Sequence, residues 1–403
     1  MTMAGPLSGI NVLDFTRVLA GPHCVKILRD LGASVVKVEA PSGDLARLAV
    51  PVTNGMSHYF AQQNAGKRNV SVDLNYPQGR AIVTRLAEQA DVIVENFRPG
   101  TLAFYGLDYP AVAAYNPTVV YASISGYGQT GPWRTRAGFA PTVQAETGFT
   151  HALLEHFERS EDGARNDLSS HADVYTGLEA AVGVLAALHQ RTATGVGQHV
   201  DVAMAATVLA VNERFHHQVG GIDTDGEPPA LSAADSPVIR LPNGTSVTIA
   251  GSPVYTPIFR RYCAMMRRTD LLADPRFATP QLRKEHEAEL LAEVRAWIGT
   301  FSDFRDLEAQ VKVAGLAVGT LRTTTEFVDS AWGEFRQPVV AIDDGGGGTI
   351  KGPRPAWLFS GADLDPPVTV ARRGEHNVEV LSELGFTEAE IKQLEADGVL
   401  SSG

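Results

Sequence analysis

Residues 171–204 read HADVYTGLEAAVGVLAALHQRTATGVGQHVDVAM and decide the fold, because they join a long helix to a strand. Apolar spacing predicts the helix from Val174 to about Gln190, and a glycine-rich turn then leads into the strand-like segment HVDVAM. Asp173 stands at the start of the helix. A carboxylate in this place caps backbone N–H groups and is favoured by the helix dipole, so the local pattern by itself indicates a structural role.

The first 125 residues alternate between strands and helices in the same way. Short apolar or alternating runs predict strands at Ile10–Phe15, Ser34–Glu39, Asn69–Leu74, Asp91–Phe97 and Thr118–Ile124. Helical spacing predicts helices at His23–Leu31 and Pro77–Ala90. Strands that alternate with helices of this length form parallel, doubly wound sheets, so the expected fold class is α/β.

The chain changes character after a predicted helix at Ala205–Gln218. A stretch rich in Gly, Asp and Pro predicts a linker at 220–237, and residues 238–320 predict a small α+β domain. That domain opens with a hairpin turn at Asn243-Gly244, followed by helices at Thr256–Met266, Lys284–Thr300 and Phe304–Ala314. The pattern then returns to the first type, so we expect a discontinuous large domain of residues 1–219 and 321–403.

Composition narrows the class of protein. With 403 residues the chain has room for two domains, and its formal net charge of −12 argues against nucleic acid or an anionic membrane as a partner. Two cysteines, Cys24 and Cys263, predict no disulfide framework and a reduced, cytoplasmic compartment. We see neither signal-peptide regions nor an apolar run near the ~20 residues that span a bilayer, and therefore expect a soluble protein.

Three segments resemble known cofactor- or metal-binding motifs, but their spacing or their neighbouring residues do not fit those motifs. The run Gly126-Tyr-Gly-Gln-Thr-Gly131 has the spacing of a dinucleotide fingerprint, but Pro132 follows where a helix must begin. The segment His151–His156, HALLEH, misses the zinc spacings by one residue. The loop Gly345–Gly348 lacks the Lys-Ser/Thr pair of a phosphate-binding loop. We expect neither a nicotinamide or flavin cofactor nor a metal, and only a loop that lets backbone approach a ligand.

Basic side chains recur near the ends of the predicted strands. They are Arg17, Arg47, Lys67, Arg68, Arg98, Arg134 and Arg136, with Asn96-Phe97 beside Arg98. Ligands of doubly wound folds bind at the carboxyl edge of the sheet, and cations there suit a ligand that carries phosphates. Together they favour a nucleotide-like ligand, although any one of them alone reads as a solvated surface charge.

Several ordered motifs resemble CoA-transferase family III, the CaiB/BaiF family. They are PLSGINVLDFTRVLAGPHCVKILRDLGASVVKVEAPSGDLAR at 6–47, NAGKRNVSVDLNYPQGR at 64–80, ADVIVENFRPGTLAFYGLDY at 90–109, NPTVVYASISGYGQTGPW at 116–133, ADVYTG with TGVGQHVDVAM in the opening stretch, and GEHNVEVLSELGF at 374–386. The resemblance covers nearly the whole large domain and is weakest between about 220 and 320.

The resemblance implies a fold and a mechanism. The fold is a Rossmann-like large domain built from both chain ends, with a small domain between them, in an interlocked homodimer. Asp173 matches the family's catalytic aspartate. It would move CoA from an acyl-CoA thioester to a carboxylic acid through an aspartyl anhydride and an aspartyl-CoA thioester. No permanently bound cofactor is implied, because coenzyme A and acyl-CoA are substrates.

The resemblance also implies contacts with CoA. They are expected from Val18, Leu19, Ala20, Lys67, Asn96 and Phe97, with Arg47, Arg98 and Arg136 as further candidates for the phosphates. Phe139, Tyr59 and Tyr175 are expected to line the pocket for the acid, which is a dicarboxylic or branched short acid in this interpretation.

The chain departs from two branches of the family. The α-methylacyl-CoA racemases use a histidine where this chain has Phe139, and a phenylalanine cannot transfer a proton, so racemisation is disfavoured. The formyl-CoA/oxalate branch has a glycine-rich loop that we do not find near 220–260, which argues against oxalate. An acyl-CoA isomerase with another base and a non-catalytic CoA-binding relative stay open as alternatives. So does the choice between transfer within one molecule and transfer between two.

Overall fold

A computed structural model describes residues 5–157, 160, 165–220 and 236–403. Its strands are β1 (Asn11–Asp14), β2 (Ser34–Glu39), β3 (Val52–Thr53), β4 (Met56–Ser57), β5 (Arg68–Ser71), β6 (Val92–Glu95), β7 (Val120–Ser125), β8 (Gln198–Ala203), β9 (Val238–Arg240), β10 (Ser246–Ile249), β11 (Val318–Thr320), β12 (Val339–Asp343) and β13 (Thr349–Pro353).

The helices lie between and after these strands. They are α1 (Ala20–Asp30), α2 (His58–Asn64), α3 (Pro77–Glu88), α4 (Tyr109–Tyr115), α5 (Ala140–Glu146), α6 (Phe149–His156), α7 (His171–Thr194), α8 (Met204–Ala210), α9 (Phe215–Val219), α10 (Thr256–Met266), α11 (Pro280–Glu285), α12 (Glu287–Ile298), α13 (Phe304–Val313), α14 (Thr324–Val328), α15 (Ala331–Arg336), α16 (Asn377–Glu383) and α17 (Glu388–Ala396).

Six of the strands form one parallel sheet in the order β5-β2-β1-β6-β7-β8. The central strand β1 pairs on one side with β2, where Val12 faces Val35, and on the other side with β6, where Val12 faces Val92. The prediction of an α/β fold with a parallel sheet is confirmed.

Apolar side chains leave the sheet on both faces, because successive residues of a strand point to opposite sides. Val12 and Val120 pack in one core with α1, α5, α7 and α8. Their neighbours Leu13 and Tyr121 pack in a second core with α3, α4, α16 and α17. Helices from the end of the chain thus cover the sheet that its beginning forms.

The strand order reverses between β1 and β6. From β1 the chain moves outward through β2 to β5, and it then returns to β6 and moves the other way through β7 to β8. The two connections leave a crevice at the carboxyl ends of β1 and β6, and ligands of open parallel sheets bind at such a switch point. The segments that follow these two strands, Arg17–Ala20 and Asn96–Arg98, are therefore the first place to look for a site.

The chain divides into two compact units: the described residues up to Phe215 together with Arg336–Gly403, and His216–Phe335. The second unit has its own antiparallel sheet, β11-β10-β9, and a core in which Val247, Tyr262 and Leu290 are buried. Its helix α10 has the predicted bounds.

Two details of the predicted organisation differ. The chain returns to the first unit at residue 336 in this division, whereas the prediction placed the return at 321. The predicted helix 205–218 is two helices, α8 and α9, because the Asn212 side chain accepts a hydrogen bond from the Arg214 N–H (3.0 Å) and forms a turn between them. Most of the predicted linker, 221–235, lies outside the described residues.

In the described part of the chain, no helix combines the length and the apolar character needed to cross a membrane.

Candidate active site

Asp173 is the third residue of α7, and its carboxylate does not cap the helix. Within the described residues it accepts no hydrogen bond, and the cap residue Ser170 makes no side-chain bond either. The Ala172 N–H is instead satisfied by the buried side chain of Gln144 on α5, whose Oε1 lies 3.2 Å away. The purely structural interpretation of Asp173, in which it caps the helix, is therefore wrong.

Gly177 brings Asp173 close to the start of α1. It follows Asp173 by four residues, so both lie on the same face of α7. A Cβ atom on Gly177 would lie 2.7 Å from the Ala20 carbonyl oxygen and 3.0 Å from the His23 Cβ. Only glycine allows this approach, which places the first turn of α7 against the loop between β1 and α1.

Two polar side chains fix the loop between β1 and α1. The Arg17 N–H donates to Asn96 Oδ1 and the Asn96 Nδ2 donates to the Arg17 carbonyl, both at 2.8 Å. The Val18 N–H donates to the Asp44 carboxylate at 3.1 Å. Val18 has φ 65°, a left-handed conformation that costs a β-branched residue about 1–3 kcal/mol. Strain of this kind persists only where surrounding bonds hold it, and it is common at ligand sites.

A cavity of about 260 Å³ opens where these segments meet. The predicted site residues that line it are Val18, Leu19, Ala20, Asn96, Phe97, Arg98, Arg136, Phe139 and Asp173. Phe139 is largely exposed and stands at the N-terminus of α5. The structure thus brings the segments after β1 and β6 together with Asp173, in one place at the switch point of the sheet.

The charges of the cavity favour an anion beside Asp173. Burial raises the pKa of Asp173 to about 6, so its carboxylate is largely ionised at neutral pH. Arg17 and Arg98 also line the cavity, and within the described residues neither side chain has an ion pair or a hydrogen bond. Arg136 is different, because it pairs with Glu146 and lies over the Trp133 ring at 4.5 Å.

Lys67 and Arg47 are not part of this cavity. Lys67 is only 3% exposed, and its Nζ donates to Asp14 Oδ2 (3.0 Å), Asn64 Oδ1 (2.9 Å) and the Pro22 carbonyl (3.2 Å). An ammonium group has three donors, and all three are used. The expected CoA contact of Lys67 therefore needs correction, because a buried, fully bonded lysine has no donor left for a phosphate.

Arg47 is also held by the protein. Its guanidinium binds both oxygens of Glu39 (2.9 and 2.7 Å) and lies over the Phe60 ring at 3.8 Å. This bidentate pair leaves few N–H donors of the Arg47 guanidinium group for a ligand. We expect Arg47, like Lys67, to support the strand ends around the site rather than to contact CoA.

The two predicted tyrosines lie outside the cavity lining. Burial, and then the negative charges of Asp173 and Asp44, raise the pKa of Tyr59, so its hydroxyl group lies within electrostatic reach of the Asp173 carboxylate. Tyr175 stacks on His171 with ring centroids 5.6 Å apart, in the first turn of α7. Tyr59 remains a candidate for the pocket of the acid, and the structure gives Tyr175 a role in packing.

Sequence reasoning did not select some residues of the cavity. Arg17 belonged to the basic set but was not chosen, although it follows β1 as Asn96 follows β6. Gly126 and Gly138 also line the cavity, and a Cβ on Gly126 would lie 2.7 Å from the Gly138 Cα. The first glycine of the false dinucleotide fingerprint thus allows two backbone segments to meet, and no helix begins between Gly126 and Ala140.

No group of three or more His, Cys, Asp or Glu side chains in the described ranges is placed to hold a metal ion.

The fold and the cavity define an α/β protein with a ligand site at the switch point of its sheet and a carboxylate inside that site. The chain matches CoA-transferase family III over residues 7–377. It is 33% identical to the succinyl-CoA–D-citramalate CoA-transferase of Chloroflexus aurantiacus over 98% of both chains. It is also 33% identical to the succinate–glutarate CoA-transferase of Agrobacterium fabrum, over 94% of this chain and 96% of that protein.

A solved structure of a CaiB/BaiF family protein from Brucella suis matches with a TM-score of 0.75 at 30% identity, over 94% of this chain and 100% of that one. The chain belongs to CoA-transferase family III, and it is a transferase of that family. The resemblance inferred from the sequence motifs is confirmed.

Proposed function

We propose that this enzyme moves CoA between an acyl-CoA thioester and a carboxylic acid, with Asp173 as the nucleophile. The observation that carries the proposal is the state of Asp173: a partly buried carboxylate without a hydrogen-bond partner among the described residues, with a pKa raised to about 6, in a cavity that Arg17 and Arg98 also line. A nucleophile that is ionised but poorly solvated reacts readily, and perturbed carboxylates cluster at functional sites.

The first half of the reaction loads CoA onto the enzyme. An oxygen of Asp173 attacks the thioester carbonyl carbon, the C–S bond breaks, and CoA thiolate leaves a mixed anhydride between Asp173 and the acyl group. The thiolate then attacks the Asp173 carbonyl carbon. The donor acid leaves as its carboxylate, and an aspartyl-CoA thioester remains.

The second half repeats these steps in reverse. The carboxylate of the acceptor attacks the aspartyl-CoA carbonyl, expels CoA thiolate and forms a new anhydride. The thiolate attacks the acceptor's carbonyl carbon, which gives the new acyl-CoA and restores the Asp173 carboxylate. One thioester replaces another, so the sequence of steps needs no ATP.

Each attack creates an oxyanion that needs N–H donors. Ala20 begins α1 and lines the cavity, and the first N–H groups of a helix have no partner within the helix. We propose the Ala20 N–H as one such donor, because Ala20 and Asp173 line the same cavity.

The acids are proposed to be short and dicarboxylic or branched. The two relatives above are named for succinyl-CoA with citramalate and for succinate with glutarate. The unpaired cations of Arg17 and Arg98 suit such ligands. We further propose the interlocked homodimer of the family, which size-exclusion chromatography with light scattering would test.

The experiment is a CoA-exchange assay with succinyl-CoA and a panel of acids that includes glutarate and citramalate. We expect the CoA ester of an added acid to accumulate without ATP, as detected by liquid chromatography and mass spectrometry. Binding of CoA without exchange would instead indicate a non-catalytic relative. Deuterium that enters the α-carbon of the substrate from solvent would indicate an isomerase.

The pH dependence of the reaction follows from the pKa of Asp173. The nucleophile must be ionised, so kcat/KM for the donor acyl-CoA should rise with pH through a midpoint near 6 and level off above about pH 7. Initial rates between pH 5 and 8, with circular dichroism to verify that the protein stays folded, would check this. A profile that is flat or that falls across this range would contradict the role of Asp173.

A further inference from the structure

The backbone of Arg17 is held in place at the Asp173 cavity. Its backbone is held on both sides by Asn96, through the two 2.8 Å bonds described above, and the strained Val18 follows it. Arg17 is half-buried and lines the same cavity as Asp173. Because the backbone of Arg17 is fixed, its side chain can place its positive charge only within reach of this part of the cavity.

The guanidinium group of Arg17 lacks a protein partner. Arg47 binds Glu39 and Arg136 binds Glu146, whereas within the described residues no carboxylate or carbonyl oxygen accepts a bond from the Arg17 side chain. A charge that is withdrawn from water is costly unless it is paired. The missing partner of Arg17 is therefore expected to come from the ligand.

Two groups of an acyl-CoA could supply this anion: the CoA phosphates, and a second carboxylate on the acyl chain. Arg17 lines the same cavity as Asp173, which is the residue proposed to react at the thioester carbonyl. The pantetheine arm separates the thioester from the CoA phosphates, so a half-buried cation in this cavity suits the acyl end of the substrate. The planar fork of arginine fits a carboxylate through two parallel hydrogen bonds.

We propose that Arg17 binds the second carboxylate of a dicarboxylic acyl group while Asp173 reacts at the first. This inference rests on the proposed function and adds the residue that selects the acid. Arg98 is the better candidate for phosphate, because it is exposed and also lines a neighbouring cavity.

The test compares two donors that differ only in the second carboxylate, succinyl-CoA and butyryl-CoA. We expect the wild-type protein to react faster with succinyl-CoA than with butyryl-CoA. The rate would be measured as the formation of the transient adduct or as the release of CoA. Arg17→Met should lower kcat/KM for succinyl-CoA by about 10- to 100-fold and change that for butyryl-CoA by less than about 3-fold. Arg17→Lys keeps the positive charge but not the planar guanidinium group. Its kcat/KM for succinyl-CoA should lie between that of the wild-type protein and that of Arg17→Met.

Three controls separate the outcomes. Arg305→Met removes an exposed arginine of α13 in the second unit and should leave both donors unchanged. The affinity for free CoA, measured by calorimetry, should be the same in wild type and Arg17→Met. Thermal unfolding shows whether each variant is folded. If Arg17→Met does not fold, the comparison of the two donors is made with Arg17→Lys.

Equal losses for both donors, or weaker binding of free CoA, would overturn the proposal and assign Arg17 to CoA itself. Equal reactivity of wild type with succinyl-CoA and butyryl-CoA would also overturn it. Failure of the proposed function looks different, because wild type would then transfer CoA from neither donor.

Discussion

We expect Asp173→Asn to abolish CoA transfer, with a loss in kcat of about 10⁴-fold or more. The amide has the shape of the carboxylate, but its nitrogen and oxygen cannot form the anhydride or return to a carboxylate after CoA has left. The variant should still bind CoA, because the cavity walls after β1 and β6 are unchanged. Exchange assays with succinyl-CoA and binding measurements with free CoA would check both statements.

At alkaline pH, Asp173→Asn should be more stable than the wild-type protein. The folded-state pKa of Asp173, about 6, lies above its unfolded value, so the folded state holds a proton that the unfolded state has already lost between about pH 4 and 6. Ionised Asp173 thus costs about 1–3 kcal/mol above pH 7. Urea unfolding should show Asp173→Asn more stable than wild type at pH 8 and equal to it near pH 4. A less stable variant at pH 8 would mean that the carboxylate has a partner we have not recognised.

Lys67→Met lowers the free energy of unfolding by about 3–5 kcal/mol. It leaves the fully buried carboxylate of Asp14 without its ion pair at 3.0 Å. Burial alone would raise the pKa of Asp14, but Lys37 and Lys67 outweigh this and lower it. The depressed pKa stabilises the protein above the unfolded pKa of the group, and this stabilisation is lost as pH falls through the folded value. Urea unfolding at pH 7 measures the effect.

A matched control is available at the surface. Lys392 pairs with Glu388 at 2.7 Å, and both side chains are mostly exposed, so Lys392→Met should cost less than about 0.5 kcal/mol. The double variant Asp14→Asn with Lys67→Met should recover part of the lost stability, because it removes the unpaired charge. If Lys67→Met is as mild as Lys392→Met but weakens CoA binding, then Lys67 contacts CoA as the family resemblance implied.

The sheet was predictable because its strands carry clear apolar patterns. The prediction for β2, Ser34–Glu39, has the observed bounds, and β8 was placed within one residue. The position of Asn96 follows from the same reasoning, since the carboxyl ends of parallel strands meet at one edge of the sheet, whereas Val18 was expected only from the family resemblance. Periodicity and the end of a strand are local properties, and a sequence displays them directly.

The roles of the basic residues were not predictable in this way. Lys67, Arg47 and Arg17 are all cations near strand ends, yet the first two are bound by Asp14 and Glu39 and only Arg17 lines the cavity without a partner. Which carboxylate reaches which cation depends on packing between distant segments, and no local pattern reports it. The strain at Val18 is equally hidden, because nothing in the residue type indicates a positive φ.

The most direct test of the central claim is to look for CoA or an acyl group on Asp173. The protein would be incubated with succinyl-CoA, trapped with hydroxylamine or borohydride, digested and analysed by mass spectrometry. We predict a mass change confined to the peptide that contains Asp173, and none in Asp173→Asn. An unmodified Asp173 peptide in a wild-type sample that exchanges CoA, or a modification on another residue, would contradict the proposed mechanism.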